Sequence, residues 1–537
     1  MKKIIYIIAL VALGSLFNAC TKDLDTSPID PNEVTSEIIF ENPEAYTQFL
    51  AKCYAGLATG GNEGDGQGDI TGIDGGFSPY LRQYWYHQEL STDEAVIAWE
   101  DQTIKDFHYQ QWGSSDVFVA AMYARVVYQA TLINEFLRQS SDGKLSDRGV
   151  SDEWKVKIAQ YRLEARFLRA LSYWHGLDLF GGTILVTESD PIGDPDFFPV
   201  RVSKEEMFNY IESELLAIEQ EMVEPRYWAT SGQYGRADKA AAWTLLTKLY
   251  LNAEVYLGAP NSKYTECLTY ANKIIASSYA LAPSWQQLFW ANNDQVDATM
   301  QEIIFPIRFD GIHEQTNGGT TFIINAMVGG DMNKEDYGIP GDNGGWGGTR
   351  VTPEFVEKFE LDQDLRATFF TQGQSLSIED INAFASGYAY PKFVNYSIIN
   401  EAKVNGSDGN FCDTDFPMFR LADVYLMYAE AILRGGTGET QGDPVNLINE
   451  LRTRSNAPEV SNLTLDFILD ERARELGWEC HRRTDLIRFG RFSQSSYVWQ
   501  WKGNVKQGQS TDSKYNVFPI PDSEVNSNPN VSQNTGY

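Results

Sequence analysis

Apolar side chains recur at helical spacing through two long stretches of the chain, and a glycine-rich texture lies between them. The clearest stripe is Leu163, Phe167, Ala170, Leu171, Trp174 and Leu177, which falls on one face of a helix. Gly181-Gly182 follows and predicts its end, because glycine adopts a left-handed C-cap without strain. A second helix is predicted from Ser203, where Ser203-Lys204-Glu205-Glu206 has capping-box spacing. A third is predicted over about 238–256, with Ala242, Leu245, Leu246 and Leu249 inward, and a shorter one over about 265–277. Helical periodicity returns in Leu421, Val424, Tyr425, Tyr428, Ala431 and Ile432, stopped by Gly435-Gly436. It returns again in Leu447, Ile448 and Leu451, and over about 466–478. Paired helices with short connectors predict a mainly α fold of stacked, tetratricopeptide-like hairpins, although no clean period of about 34 residues can be overlaid.

Between these blocks, residues 310–350 contain eleven glycines, and 60–76 form a second glycine-rich stretch. Long loops inside a compact domain are uncommon and usually functional or disordered. Tyr80, Tyr84, Trp85, Tyr86, Trp99 and Trp346 flank or interrupt these stretches, which argues against plain disorder.

The start of the chain adds an address. Met1-Lys2-Lys3 is basic, residues 4–17 are almost wholly apolar, and Asn18-Ala19-Cys20 closes the stretch. About 14 apolar residues cover only about 20 Å as helix, short of a bilayer core, so this is a secretory signal rather than a span. Ala19-Cys20 resembles the end of a bacterial lipoprotein signal, with Cys20 the lipidation site. No later segment reads as apolar enough to cross a membrane. Residues 1–19 are thus the signal, 20–36 a polar tether with Pro28 and Pro31, and 37–537 the folded part.

Charge narrows the partners. The 537 residues carry a net charge of −31, which disfavours nucleic acid and anionic membranes but tolerates neutral ligands. Beyond Cys20, the cysteines Cys53, Cys267, Cys412 and Cys480 stand far apart. They form neither a zinc nor a redox motif, and structural thiols are the simpler reading.

Catalytic signatures are scarce. None of the five histidines pairs as H-E-x-x-H, and no G-x-S-x-G elbow or phosphate loop occurs. Glu471 and Glu475 stand at i, i+4, as a glycosidase pair would. Arg472, Arg474, Arg482, Arg483 and Arg488 surround them. Arginine lowers a carboxyl pKa where a general acid needs it raised, so an ion-pair network is expected. Asp93-Glu94 and Asp413-Asp415 are expected to be solvated or capping. Asn293-Asp294 could cluster oxygens for calcium, but a plain polar loop is simpler; no metal or cofactor is expected. Aromatic clusters are the better signal: a pyranose packs its C–H face on an aromatic ring while polar groups bind its hydroxyls. Two or three such rings imply affinity near about 1 mM. Residues 80–102, and Asn343-Gly344-Gly345-Trp346, have that composition. For any single Trp or Tyr, a core position is the commoner outcome.

Several blocks resemble the SusD/RagB family of surface lipoproteins, in family order. They are Cys20-Thr21-Lys22-Asp23-Leu24, Glu89-Leu90-Ser91-Thr92-Asp93-Glu94, Glu164-Ala165-Arg166-Phe167-Leu168-Arg169-Ala170 and Gly235-Arg236-Ala237-Asp238-Lys239. Phe419-Arg420-Leu421-Ala422-Asp423, Arg483-Thr484-Asp485-Leu486-Ile487-Arg488-Phe489-Gly490 and Phe518-Pro519-Ile520-Pro521 follow. The resemblance implies a SusD-like fold with tetratricopeptide-like hairpins beside a loop-rich ligand-binding half, in parts of about 37–260 and 261–537. It implies glycan capture at the outer membrane for a SusC-like TonB-dependent transporter, without catalysis. Among family members the chain looks most like the starch-binding one. Carried over by position, Asp74 and Arg82 match polar contacts, Trp99 and Trp346 two walls of an aromatic arc, and Gln102 the nearest amide to an expected asparagine. Asn317 stands where the third aromatic, a tyrosine, is expected, which leaves both a starch-like and a xylan-like glycan open. A surface glycosidase, and a transporter scaffold that binds no glycan, are the competing readings.

Overall fold

The computed structural model describes residues 36–62, 66–341 and 344–537. Cys20, the tether before residue 36 and Asn343 lie outside the described residues. The described chain is mainly helical. Its first helices are α1 (Glu44–Ala55), α2 (Tyr80–Trp85), α3 (Gln102–Tyr109), α4 (Val117–Gln139) and α5 (Asp152–Phe180). They are followed by α6 (Lys204–Ile218), α7 (Lys239–Leu251), α8 (Tyr264–Ile275) and α9 (Gly319–Met327). Further along lie α10 (Leu421–Leu433), α11 (Pro444–Arg454), α12 (Leu465–Leu476) and α13 (Arg482–Arg488), with short helical turns elsewhere such as Asp522–Ser527.

Local chemistry sets these boundaries. Ser151 caps α5, and Gly181, at φ 69°, ends it in the left-handed conformation. Ser203 and Glu206 form the reciprocal capping box that starts α6. Asp238 accepts from the Ala240 and Ala241 N–H groups at the start of α7. That helix stops at Leu251 rather than running on to 256, with Asn252 breaking it before a short turn, Ala253–Leu257. Helices α4, α5 and α6 pack in succession, as do α7, α8 and α10. One hydrophobic cluster runs through both halves, from Phe40 to Val531.

Strands are few: among the described residues they form three two-stranded sheets. They are β1 (Val96–Ile97) with β3 (Thr349–Arg350), β2 (Ile303–Ile307) with β6 (Phe416–Arg420), and β4 (Tyr396–Ile399) with β5 (Ala402–Asn405), all antiparallel.

Three expectations need correction. The 310–350 stretch contains α9, fully buried, because Phe322, Ile323, Ile324 and Met327 supply a core face that the flanking glycines obscure. Asp93 and Glu94 are buried rather than solvated: Arg482 takes Asp93 at 2.7 Å, and Glu94 accepts from the Trp478 N–H at 3.1 Å. Helix α4 is long and apolar enough, by composition, to cross a membrane; 61% of its most apolar window is buried inside the fold. Cys53, Cys267, Cys412 and Cys480 are free, buried thiols. In the Asn293-Asp294 loop, Asn293 bonds the Leu288 and Asp415 backbone and Asp294 pairs with Arg308 at 2.8 Å.

The arginine-rich C-terminal region is an internal ion-pair network. Arg366 reaches Asp364, Glu471 and Glu475 at 2.8–2.9 Å. Arg420, at the end of β6, reaches Glu302, Glu475 and Glu479 at 2.6–3.0 Å. Arg452 and Arg474 add contacts to Glu471, and Arg454 to Glu475. Burial alone would raise these carboxyls, but Arg366, Arg474 and Arg452 outweigh it and hold Glu471 at about 2. Neither Glu471 nor Glu475 is exposed, so neither can meet a polysaccharide. Removing one partner of a buried ion pair strands its counter-charges and costs about 3–5 kcal/mol. Arg366→Met is therefore expected to lower unfolding free energy by about that amount in denaturant titration.

Candidate functional site

The pairing of β1 with β3 frames a cleft. Val96 lies opposite Arg350 and Ile97 opposite Thr349, and the Ala98 N–H donates to the Gly348 carbonyl at 3.0 Å. This register brings Trp99, just past β1, beside Trp346, just before β3. The Trp99 indole N–H donates to the Trp346 carbonyl at 3.2 Å, and the ring centroids stand 6.3 Å apart at 47°. Gly348 permits the approach: a Cβ there would lie 2.7 Å from Trp99 Cε2. Phe77 and Phe322 meet the Trp99 ring edge-on, each with centroids at 6.2 Å.

Arg82, on α2, holds the surrounding loops. Its Nε donates to the Tyr86 hydroxyl, and its Nη1 to the Gly76 and Asn317 carbonyls, each at 2.8 Å. Burial pushes the Tyr86 phenol up to about 12, so near neutral pH it is an uncharged acceptor. The guanidinium lies 4.3 Å from the Phe77 ring centroid and 4.4 Å from that of Phe322. Three of its five N–H groups are thereby satisfied within the protein, leaving the two on Nη2. Asp74 fixes the 74–77 turn by accepting the Gly76 N–H at 2.9 Å. Gly318 abuts Pro79, where a Cβ would meet the proline ring at 2.4 Å, so the 317–319 turn packs directly on the start of α2.

The cleft so formed has a volume of about 490 Å³. Asp74, Arg82, Trp99, Asn317 and Trp346, predicted from the sequence, all line it. Gln102 does not: it lies on α3, where its amide donates to Asp106 Oδ1 at 2.8 Å. Asp101, at the N-cap position of that helix, lines the cleft instead. Tyr80, Tyr84, Trp85 and Tyr86 are core residues, whereas Trp99 and Trp346 are half-buried. A second cavity, about 500 Å³, lies between α1 and β2; it is lined largely by apolar groups such as Leu50, Phe305 and Phe309 and holds none of the predicted residues.

A family model for the SusD family matches residues 367–537. The starch-binding protein SusD of Bacteroides thetaiotaomicron is 36% identical over an alignment covering 98% of this chain and 98% of that protein. The chain belongs to the SusD family. A SusD-like protein of Bacteroides ovatus is 26% identical, covering 66% of this chain and 63% of that protein. Among solved structures, a SusD homolog from Bacteroides thetaiotaomicron matches with a TM-score of 0.70 at 20% identity, covering 96% of this chain and 100% of that one. Surface glycan-binding protein A from the same organism, in complex with laminarihexaose, matches at 0.67 and 17% identity, covering 91% of this chain and 99% of that one. These structural likenesses establish the SusD-type fold.

In this SusD-family chain, sequence reasoning missed Phe77, Asp101, Asn410 and Phe411 as lining residues. A signal for the last two was present. Asn405-Gly406 and Asp408-Gly409 are turn dipeptides, and Phe411, with only Asn410 between it and the second, is placed for display. The Gly348 contact yields a structural prediction. Gly348→Ala is expected to push the Trp99 indole off the 346–348 backbone and break its bond to the Trp346 carbonyl. Near-ultraviolet circular dichroism should change while the far-ultraviolet spectrum stays constant.

Proposed function

We propose that this SusD-family protein is a surface lipoprotein that binds neutral oligo- or polysaccharide in the Trp99–Trp346 cleft. It hands the glycan to a SusC-like TonB-dependent transporter and catalyses no reaction. The observation that carries the reading is the pairing of two half-buried tryptophans on a fixed backbone edge, with Asp74, Asp101 and Arg82 around them. Aromatic faces with hydrogen-bonding groups at the rim suit the C–H face and hydroxyls of a pyranose. Acidic rim groups and a net charge of −31 disfavour anionic glycans. The similarity to a starch-binding relative supports a starch-like glycan. A xylan-like one is favoured by a single observation, Asn317 in place of the expected tyrosine.

The test is retention in gels cast with amylopectin, xylan or laminarin. Trp99→Ala and Trp346→Ala are each expected to weaken retention at least about fivefold, since a stacked ring contributes about 1 kcal/mol beyond area burial. Unchanged mobility of both variants on a glycan that retards the wild type would sink the site. The same incubations should yield no new reducing ends; clear hydrolysis would favour an enzyme.

Cys20 is proposed to carry the lipid that holds the protein at the outer membrane. Cys20→Ser is expected to shift the protein from the membrane fraction to the soluble fraction. Membrane retention of that variant in cells lacking the transporter would count against the anchor.

A further inference from the structure

The cleft has a wall that neither the motifs nor the aromatic pair accounts for. Asn410 and Phe411 line it from the turn that follows β5. Phe77, Trp99 and Trp346 are joined to the main hydrophobic cluster and to one another by ring contacts. Phe411 differs. It is half-buried, lies outside that cluster, and makes no ring contact among the described residues. An aromatic side chain at the edge of a cleft that makes no ring contact can offer a face to another apolar surface.

The backbone beneath Phe411 is fixed by a dense set of hydrogen bonds. Asp408 Oδ1 accepts the Asn410 and Phe411 N–H groups at 2.7 and 3.0 Å. The fully buried Asn395 donates from Nδ2 to the Asp408 and Phe411 carbonyls at 3.2 and 3.4 Å, and accepts the Asp413 N–H at 3.0 Å. Thr321, on α9, accepts the Cys412 N–H at 3.0 Å. Asp413 closes the turn by accepting the Ser407 and Gly311 N–H groups at 2.5 and 2.9 Å. Such a turn presents its side chain already ordered, so a ligand need not bear the entropy of fixing it.

We propose that the 408–411 turn is a ligand-binding wall, and that Phe411 stacks on the C–H face of a further pyranose of the bound glycan, beyond the units held by Trp99 and Trp346. Phe411 thus adds a further ring to the cleft from a segment distinct from those of Trp99 and Trp346. Asn317 is instead a fastening point whose carbonyl takes Arg82. Phenylalanine has no hydroxyl, so the contact selects a neutral sugar by its apolar face and not by a hydrogen bond. Asn395 acts as a positioning residue through the turn.

This inference rests on the glycan-binding reading, and the test separates the two. Wild type, Trp99→Ala, Phe411→Ala, Phe411→Leu and Phe411→Trp are run in gels cast with amylopectin, xylan or laminarin, with melting temperatures measured for each. On the glycan that retards the wild type, Phe411→Ala and Phe411→Leu are expected to lose about fivefold in affinity. Phe411→Trp should keep it, and the leucine variant should melt like the wild type. If Trp99→Ala loses binding while Phe411→Ala and Phe411→Leu bind as the wild type does, the Phe411 wall is wrong and the cleft stands. Equal binding by leucine and phenylalanine at 411 also overturns it, since bulk alone then suffices. If Trp99→Ala binds normally, or no gel retards the wild type, the glycan reading fails and this inference falls with it.

Discussion

The cleft depends on how one buried positive charge is accommodated. Arg82 is 4% exposed, and among the described residues no carboxylate pairs with it. Stranding a guanidinium in that way would be costly, and the fold compensates with two backbone carbonyls, a phenol and the faces of two rings. Those partners come from segments far apart in the chain: the glycine-rich loop that ends at Gly76, the 317–319 turn, the end of α2 and α9. Satisfying the charge therefore assembles the walls. It also explains why the loops can be glycine-rich and still ordered, because their carbonyls are tied to a fixed cation.

The C-terminal arginines solve a different problem. Arg366, Arg420, Arg452 and Arg454 share Glu302, Glu471, Glu475 and Glu479 in a dry network that joins β2, β6, α11 and α12. Glu302, Glu471 and Glu475 each meet more than one arginine, and Glu479 meets Arg420 and Lys392, so no single pair sets the geometry, and the ensemble holds a strand pair against helices. A network of this kind contributes specificity of arrangement more than net stability. Its arginines hold the Glu471 and Glu475 carboxyls well below the usual range, the opposite of a general acid, and both are sealed from solvent. The only charge cluster suggestive of catalysis in the sequence is thus a scaffold.

How much of this was legible in the sequence follows from the range of the interactions. Helix ends written in local chemistry, such as Gly181 and the Ser203–Glu206 box, could be read directly because their partners lie within one turn. The buried helix α9 was hidden: its apolar run is short, and glycines on both sides read as loop. Asp93 was misjudged because its partner, Arg482, lies 389 residues away, beyond any window. Within the site, the tryptophans stood out as aromatics beside glycines, yet their pairing depends on the β1–β3 register. Gln102 has the expected chemistry at roughly the right place, but one residue decides whether a side chain stands before the helix or runs along it: Gln102 bonds Asp106 along α3, and Asp101, just before the helix, lines the cleft. For Phe411 the turn dipeptides before it signal a displayed side chain, but nothing local marks which glycine-rich turn will face the cleft.

Weak contacts distributed over several rings suit a protein that captures and then gives up its ligand. On the glycan-binding reading, each ring adds only about 1 kcal/mol. A single oligosaccharide would then dissociate readily, because differences in affinity among related complexes reside mostly in the off-rate. A polymer behaves differently. Its repeated units raise the effective concentration at the cleft, so that release of one unit is followed by capture of the next without loss of the chain. Tight binding would defeat that exchange. The rigidity described above is consistent with this balance: with Trp99 fixed by Gly348 and Arg82 fixed by its carbonyls, little ordering opposes binding. Modest affinity can then arise from few contacts, and the hydroxyls left in water can be recognised elsewhere.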